Sequence, residues 1–314
     1  MTASFPTKVY AHLHNIISNA SPEPVYAQAL HHVLEKTAET HREVIVLPIV
    51  ACQAAGGSPG RAVPVAAAWR ALHIAARLLD DAEDGEIQHW TEDERASARI
   101  INLGAGFIGI ANLALAQADT DLSTAQRLML SQRFNQTMMV MAGGQHLDLL
   151  PEGVIDMGSY WRHVRGKTGA FFGLAIESGA LCAITDQEAL DRYYEFGYNL
   201  GVMLQLIDDL NDFFTEGPHD DLAAGKHTLP ILFVEEFAPA SVQSTVQTLL
   251  PQALHDPAAR RRIRQIVREQ GADVYILAEI ARLRTLARYS LLPTDDPDGA
   301  LSALLRKFVK LSVH

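Results

Sequence analysis

The sequence predicts an all-α fold, and three observations carry that prediction. Strand signals are almost absent: sustained period-two alternation is rare, while Gly and Pro punctuate long segments whose apolar residues recur at helical spacing. The composition, 48% hydrophobic and 20% charged over 314 residues, belongs to a globular chain with a large core. That length allows one large all-α domain or two ordinary ones. No linker, low-complexity segment or short-period repeat divides it, so a single helical domain over 1–314 is expected, with N-terminal helices over 1–40 ahead of a core over 41–314.

The elements follow in order. Helical spacing covers about Phe5 to Ser18 and Glu23 to Glu39, with Ser21-Pro22 as the break. A third helix over His41–Ala55 stops at Gly56-Gly57-Ser58-Pro59-Gly60. Pro64 suits the first turn of the next helix. That helix, apolar on nearly every side through Ala66-Ala67-Ala68-Trp69, reads as one buried inside a bundle. After a polar loop from Gly85 to Asp93, helices are expected over Glu94–Ala118, Ser123–Leu150 and Met157–Thr185, with Gly143-Gly144 as an interruption. A long helix over Gln187–Phe214 precedes a polar, glycine-bounded loop, Gly217 to Gly225, read as a flap. Amphipathic helices finish the chain. The basic run Arg260-Arg261-Arg262-Ile263-Arg264 reads as a solvated helix face, because the overall charge is acidic.

A net charge of −11 disfavours nucleic acid as a partner. Cys52 and Cys182, the two cysteines, give neither metal spacing nor a disulfide framework, so a reducing cytoplasm is the expected compartment. Met1 to Tyr10 lacks the form of a signal peptide, and no uninterrupted apolar run reaches the roughly 18 residues that would span a bilayer.

Two acid clusters organise the rest. Asp80-Asp81-Ala82-Glu83-Asp84 ends one long apolar run, and Asp208-Asp209-Leu210-Asn211-Asp212 ends another. On a helix, i and i+4 share a face and i+1 lies beside them, so each cluster can aim several carboxylates at one point. Clustered carboxylates repel, and a hard divalent cation removes that cost. Mg²⁺ takes one or two carboxylates, keeps waters and completes its shell with phosphate oxygens. Two such clusters facing each other would hold a diphosphate.

These clusters, with Gly225-Lys226-His227-Thr228-Leu229-Pro230 after the second, resemble the isoprenyl diphosphate synthase (polyprenyl synthetase) family. Other features fall in the family's order: His73 seven residues before Asp80, Gly144-Gln145 with Asp148, Lys167-Thr168-Gly169, and Gln205 before Asp208. The resemblance implies a helical bundle of the isoprenoid synthase type with a central cavity, usually dimeric, and three Mg²⁺ ions. It places the metals on Asp80, Asp81 and Asp84 and on Asp208, Asp209 and Asp212. It gives Lys167, Gln205 and Lys226 the diphosphate of an allylic prenyl substrate, with Thr168 polarising their surroundings, and makes His73, Gln145 and Asp148 substrate-binding.

The acceptor half departs from the family. Its Gly-Gly-Lys-Arg-x-Arg-Pro stretch for isopentenyl diphosphate falls, by ungapped counting, on residues that keep Arg42 alone of the three cations, and its Arg-Arg pair falls on His89-Trp90. Arginine's planar fork of donors is not replaced by Trp or by a partly charged His. Arg70, Arg77, Arg162 and Arg165 are the nearby cations that could compensate. Three readings stay open. The chain is a prenyltransferase using isopentenyl diphosphate bound differently or another acceptor; a class I terpene synthase ionising one prenyl diphosphate; or a non-catalytic partner subunit, which has least reason to keep both acid clusters. In the family, the residues four and five before the first Asp shape the tunnel for the tail. Here these are Ala76 and Ala75, with Leu72 a turn deeper, so a substrate or product of C20 or longer is expected.

Overall fold

The computed structural model describes residues 4–38, 44–83, 85, 96–118, 122–149, 156–217 and 220–310, the side chains of 148, 309 and 310 excepted. Among these residues the regular structure is helical, with no strand, as the periodicity predicts. Chain contacts gather it into two compact units.

The first unit comprises Met1–Thr137, Leu174–Tyr194 and Leu291–Ala303. It holds α1 (Phe5–Ala20), α2 (Pro24–Lys36), α3 (Leu47–Ala54), α4 (Val63–Glu83) and α5 (Ala96–Ala116). Pro24 and the side chain of Glu23, which accepts from the Val25 N–H at 3.2 Å, start α2. α4 is the apolar helix that the sequence places inside a bundle, and every residue from Val65 to Leu72 is buried. It packs along α5, where Gly104 allows close approach: a Cβ there would stand 3.0 Å from the Leu79 side chain. By length and composition the segments Pro59–Glu83 and Ala96–Ala116 could each cross a membrane, although the first has 67% of its most apolar stretch buried within the fold, as a core helix does.

The second unit comprises Met138–Gly173, Glu195–Ser290 and Leu304–His314. It takes in the last turns of α6 (Thr124–Asp148), then α7 (Met157–Val164), the start of α8 (Ala170–Leu181) and most of α9 (Gln187–Phe214). α10 (Asp221–Ala224), α11 (Leu229–Phe237), α12 (Ala240–Ala253), α13 (Pro257–Glu269) and α14 (Ala272–Ser290) complete it, with the end of α15 (Ala300–Lys310). Its core includes Phe213, Leu222, Ile231, Val246, Ile263 and Val267, all 1% exposed or less.

The structure corrects four expectations. Gly143-Gly144 does not break its helix, because α6 runs through to Asp148; in a helix interior glycine costs only about 1 kcal/mol. The segment expected as one helix from Met157 is divided at Arg165–Gly169 by a π turn. The third helix begins at Leu47 rather than at His41, behind a turn over 44–46. The segment from Gly217 to Gly225 is not all loop: it contains α10, with Asp221 and Leu222 buried.

Candidate active site

The site grows from the close approach of α9 to the π turn. A Cβ at Gly201 would lie 2.7 Å from the Thr168 carbonyl oxygen, and one at Gly169 would lie 2.9 Å from the Tyr198 ring and Val202. Neither position has room for a side chain, so the turn rests directly on α9. One turn past Gly201, Gln205 then meets Thr168. The Thr168 hydroxyl donates to Gln205 Oε1 at 2.8 Å, and Gln205 Nε2 donates to Asp209 Oδ1 at 2.8 Å. The other Asp209 oxygen accepts a short hydrogen bond from the Tyr160 hydroxyl on α7. On the far side of the turn, Lys167 Nζ donates to Gln145 Oε1 at 2.7 Å, where Gly144 brings α6 up to the Lys167 backbone. The π turn widens the helix locally and sends Lys167 and Thr168 to different partners.

The acid cluster on α9 is electrostatically unbalanced. Burial raises the carboxyl of Asp209, hydrogen bonds from Tyr160 and Gln205 hold it down, Asp212 raises it and Lys226 lowers it. Asp208 reaches the surface, yet protein packed around its carboxyl pushes it up to about 6, helped by the charges of Asp212 and Asp209. Asp221 is buried and pushed up to about 7, first by desolvation and then by Asp209, against the pull of Lys226. Lys226 follows Gly225, whose φ of 73° is a left-handed cap that glycine adopts without strain. The Lys226 N–H turns back to the Asp221 carbonyl at 2.9 Å.

Hard carboxylate oxygens held against their preferred charge suit a divalent cation. Among the described residues no three or more His, Cys, Asp or Glu close into a metal cluster. Mg²⁺ binds through one or two carboxylates and takes water and phosphate oxygens for the rest. Both oxygens of Asp209 accept hydrogen bonds; Asp208 is exposed and Asp212 half-buried.

The remaining residues singled out from the sequence lie as follows. Asp80 and Asp81 are half-buried in the last turn of α4, in the first unit, with Arg77 Nε 3.9 Å from Asp81 Oδ2. Asp84, Arg42 and His89 lie outside the described residues, as does the Asp148 side chain. His73 takes a hydrogen bond at Nδ1 from Arg70 Nη1 at 3.0 Å, and Arg70 Nη2 donates to the Thr37 carbonyl at 2.5 Å. Arginine can only donate, so the His73 ring has its proton on Nε2. Arg70 is 2% exposed and committed inside the fold, which removes it from the cations that could compensate in an acceptor site. Leu72 and Ala75 are buried and Ala76 half-buried; the Ala75 carbonyl faces Gly104 of α5.

Sequence reasoning missed Tyr160, Asp221 and Arg264. The Asp220-Asp221 doublet ahead of Gly225-Lys226 was a visible signal, whereas nothing local distinguishes Tyr160. Arg264, assigned to a solvated face, is 5% exposed and paired with Asp220.

Comparison with known proteins bears on the fold and the family. A solved geranylgeranyl pyrophosphate synthetase from Pyrococcus horikoshii superposes with a TM-score of 0.82 at 19% identity, covering 97% of this chain and 95% of that one. A polyprenyl synthase from Caulobacter crescentus, complexed with calcium and isoprenyl diphosphate, gives 0.80 at 21% identity, over 98% and 94%. In sequence, the chain is 30% identical over 232 residues to the geranylgeranyl diphosphate synthase of Mycobacterium tuberculosis, a match spanning 68% of this chain and 62% of that relative. The family described as Polyprenyl synthetase matches residues 23–269, from α2 to the end of α13, a span that includes both acid clusters, the π turn and Lys226. The chain belongs to the polyprenyl synthetase family.

Proposed function

We propose that the chain is a Mg²⁺-dependent prenyltransferase that ionises an allylic prenyl diphosphate and passes the prenyl group to an acceptor, as one domain with its two acid clusters acting on one substrate. The observation that supports this reading is the connected chain Thr168–Gln205–Asp209–Tyr160 on the helix that also carries Asp208 and Asp212. Asp208 and Asp212, and by the resemblance Asp80, Asp81 and Asp84, would hold Mg²⁺, with three ions expected from the resemblance. When bound, the metal supplies positive charge against the departing diphosphate. Lys167 and Lys226 add fixed cations at the same leaving group, where negative charge develops. Gln205, held by Thr168, orients Asp209 and favours its charged form against burial, the form in which it would join Asp208 and Asp212 at the metal. Apolar helices exclude the water that would quench an allylic cation. His73, donating from Nε2, and Gln145 with Asp148 would contact substrate; Arg42 and His89 are what remains of the family's acceptor cations.

A second reading has its own support. Arg70 is occupied by Thr37 and His73, and the family's Arg-Arg pair is His89-Trp90 here. An acceptor half short of cations suits a single-substrate terpene synthase or an uncharged acceptor better than a second diphosphate. Homodimerisation is proposed from the resemblance, and α5 offers exposed apolar residues for it, Ile101 and Leu113 among them. Two buried free thiols suit a reducing cytoplasm.

The deciding experiment measures diphosphate release with Mg²⁺ from C10, C15, C20 and C25 allylic diphosphates, with and without isopentenyl diphosphate, with products identified by mass. Chains longer by C5 units, formed only with isopentenyl diphosphate, establish elongation. A hydrocarbon or alcohol from one substrate alone establishes the terpene synthase. No diphosphate release under either condition rules out elongation and single-substrate chemistry and points to another acceptor.

A further inference from the structure

The run of four arginines on α13 is not a uniform solvated face. Arg264 is 5% exposed, and its three nitrogens reach three different parts of the chain. Nε donates to the carbonyl oxygen of Phe213 at 2.7 Å, one residue past Asp212. Nη2 lies 2.7 Å from Asp220 Oδ1, and Nη1 lies 3.5 Å from Glu216 Oε1. Asp220, 4% exposed, also meets Arg260 Nε at 3.3 Å. The same carboxylate caps α10 by accepting from the Leu222 N–H at 3.1 Å. One turn along α13, the Arg268 guanidinium sits 4.5 Å from the centre of the Phe214 ring. One guanidinium therefore joins the end of the acid-bearing helix to the cap of the short helix that carries Asp221 and leads through Gly225 to Lys226.

Burying both partners of an ion pair costs desolvation that Coulomb attraction often only offsets, so such a pair contributes little net stability against apolar residues of the same size. What it does supply is placement: Nε donates a hydrogen bond to Phe213 while Nη1 and Nη2 reach Glu216 and Asp220 as ion pairs, a set of contacts that the single ammonium of a lysine cannot span. We propose that Arg264 and Asp220 form a positioning clamp, setting Lys226 and Asp221 relative to Asp208 and Asp212 before substrate arrives. Neither clamp residue touches substrate. The inference rests on the diphosphate-binding role proposed above, and it replaces the expectation of a freely closing flap over Gly217–Gly225: the segment is anchored at Glu216 and Asp220.

The test uses the full chain and inorganic pyrophosphate with Mg²⁺, titrated calorimetrically at a temperature where melting curves show each variant folded. Arg264→Gln should weaken pyrophosphate binding at least 10-fold and raise KM for the allylic diphosphate more than it lowers kcat. Arg264→Lys should not restore either. In combination with Lys226→Ala the loss should be no greater than that of the worse single variant, because both act through one contact. Should Arg264→Gln fail to fold, Asp220→Asn serves the same comparison, since it keeps the capping oxygen and leaves the Arg264 bond to Phe213 in place. Native-like pyrophosphate binding by a folded clamp variant, or losses that multiply with Lys226→Ala, overturn the clamp alone. A native chain that binds no pyrophosphate with Mg²⁺ overturns the functional reading and the clamp with it.

Discussion

Tyr160→Phe tests the centre of the site with the smallest change of shape. Tyr160 is 4% exposed and Asp209 9%, so the hydroxyl and the carboxylate meet where water does not compensate. The substitution keeps the ring and deletes one donor to a charged acceptor, an interaction that contributes about 1.5–3 kcal/mol. Taking about 2 kcal/mol, the melting midpoint of a chain this size should fall by roughly 3–6 °C. The pH dependence follows from the balance at Asp209. Burial raises its carboxyl, and the bonds from Tyr160 and Gln205 hold it down. Without the hydroxyl the carboxyl rises further, so the proton returns at a higher pH and the acid limb of kcat/KM moves upward. The stability deficit should be largest while Asp209 is ionised in both proteins and should shrink as pH falls and Asp209 protonates. Denaturant titrations at pH 8 and pH 5, with a pH–rate profile, measure both effects. A deficit under about 0.5 kcal/mol at pH 8 refutes the buried hydrogen bond. An unmoved acid limb refutes the role given to Asp209.

Other expectations follow from the same packing and charge. Gly201→Ala places a Cβ 2.7 Å from the Thr168 oxygen; overpacking should cost about 1–3 kcal/mol and lower kcat by parting Thr168 from Gln205, whereas Gly144→Ala, whose nearest new contact is 3.4 Å, should be mild in both assays. Glu177, 4% exposed and 2.9 Å from Arg133, has its carboxyl pushed up to about 7, chiefly by burial. A folded value above the unfolded one means stability is lost as pH rises from about 4.5 through 7, so Glu177→Gln should flatten that decline and be more stable at pH 8, by on the order of 3 kcal/mol; an unchanged pH–stability curve refutes it. Asp80→Ala and Asp208→Ala should each abolish Mg²⁺-dependent turnover without lowering the melting temperature, and retained turnover in either ends the two-cluster argument. Ala76→Phe should shorten the longest accepted prenyl chain; it is a cleaner probe than Ala75→Phe, whose site is 1% exposed and packed on α5. An unchanged product distribution places the tunnel elsewhere.

Helix existence was legible because it depends on local periodicity, and α9 falls on its expected bounds of Gln187–Phe214. Interruptions were less legible. The Gly143-Gly144 pair suggested a break, yet what those glycines provide is close approach: α6 continues, and the real break is the π turn at Arg165–Gly169. No residue type announces that turn; it arises where Gly169 and Gly201 let two helices touch. The site was legible wherever its members share one helix face, as Gln205, Asp208 and Asp212 do. It was not legible where partners are far apart in sequence: Tyr160 lies 49 residues from Asp209, and Arg264 lies 51 from Phe213.

Two arginines show why charge alone misled in opposite directions. Arg70 looked available for a substrate and Arg264 looked solvated. Each is buried instead, with its guanidinium on a main-chain carbonyl at a helix end, Thr37 after α2 and Phe213 in the last turn of α9. The last four carbonyls of a helix have no partner within it, and when such an end is buried something must donate to it. Arginine suits this task because it reaches the carbonyl and a second group at once: a hydrogen bond to His73 for Arg70 and an ion pair with Asp220 for Arg264. Sequence spacing cannot separate an arginine that holds a helix end from one that binds phosphate, since both require only a cation near the site. The lysines differ in placement. Lys167 stands in the π turn and Lys226 follows a left-handed glycine, positions where the backbone departs from the helix and an ammonium can leave the packed face. On the proposed reading the division of labour follows from the chemistry: planar guanidinium groups fix the framework, and compact ammonium groups would meet the diphosphate.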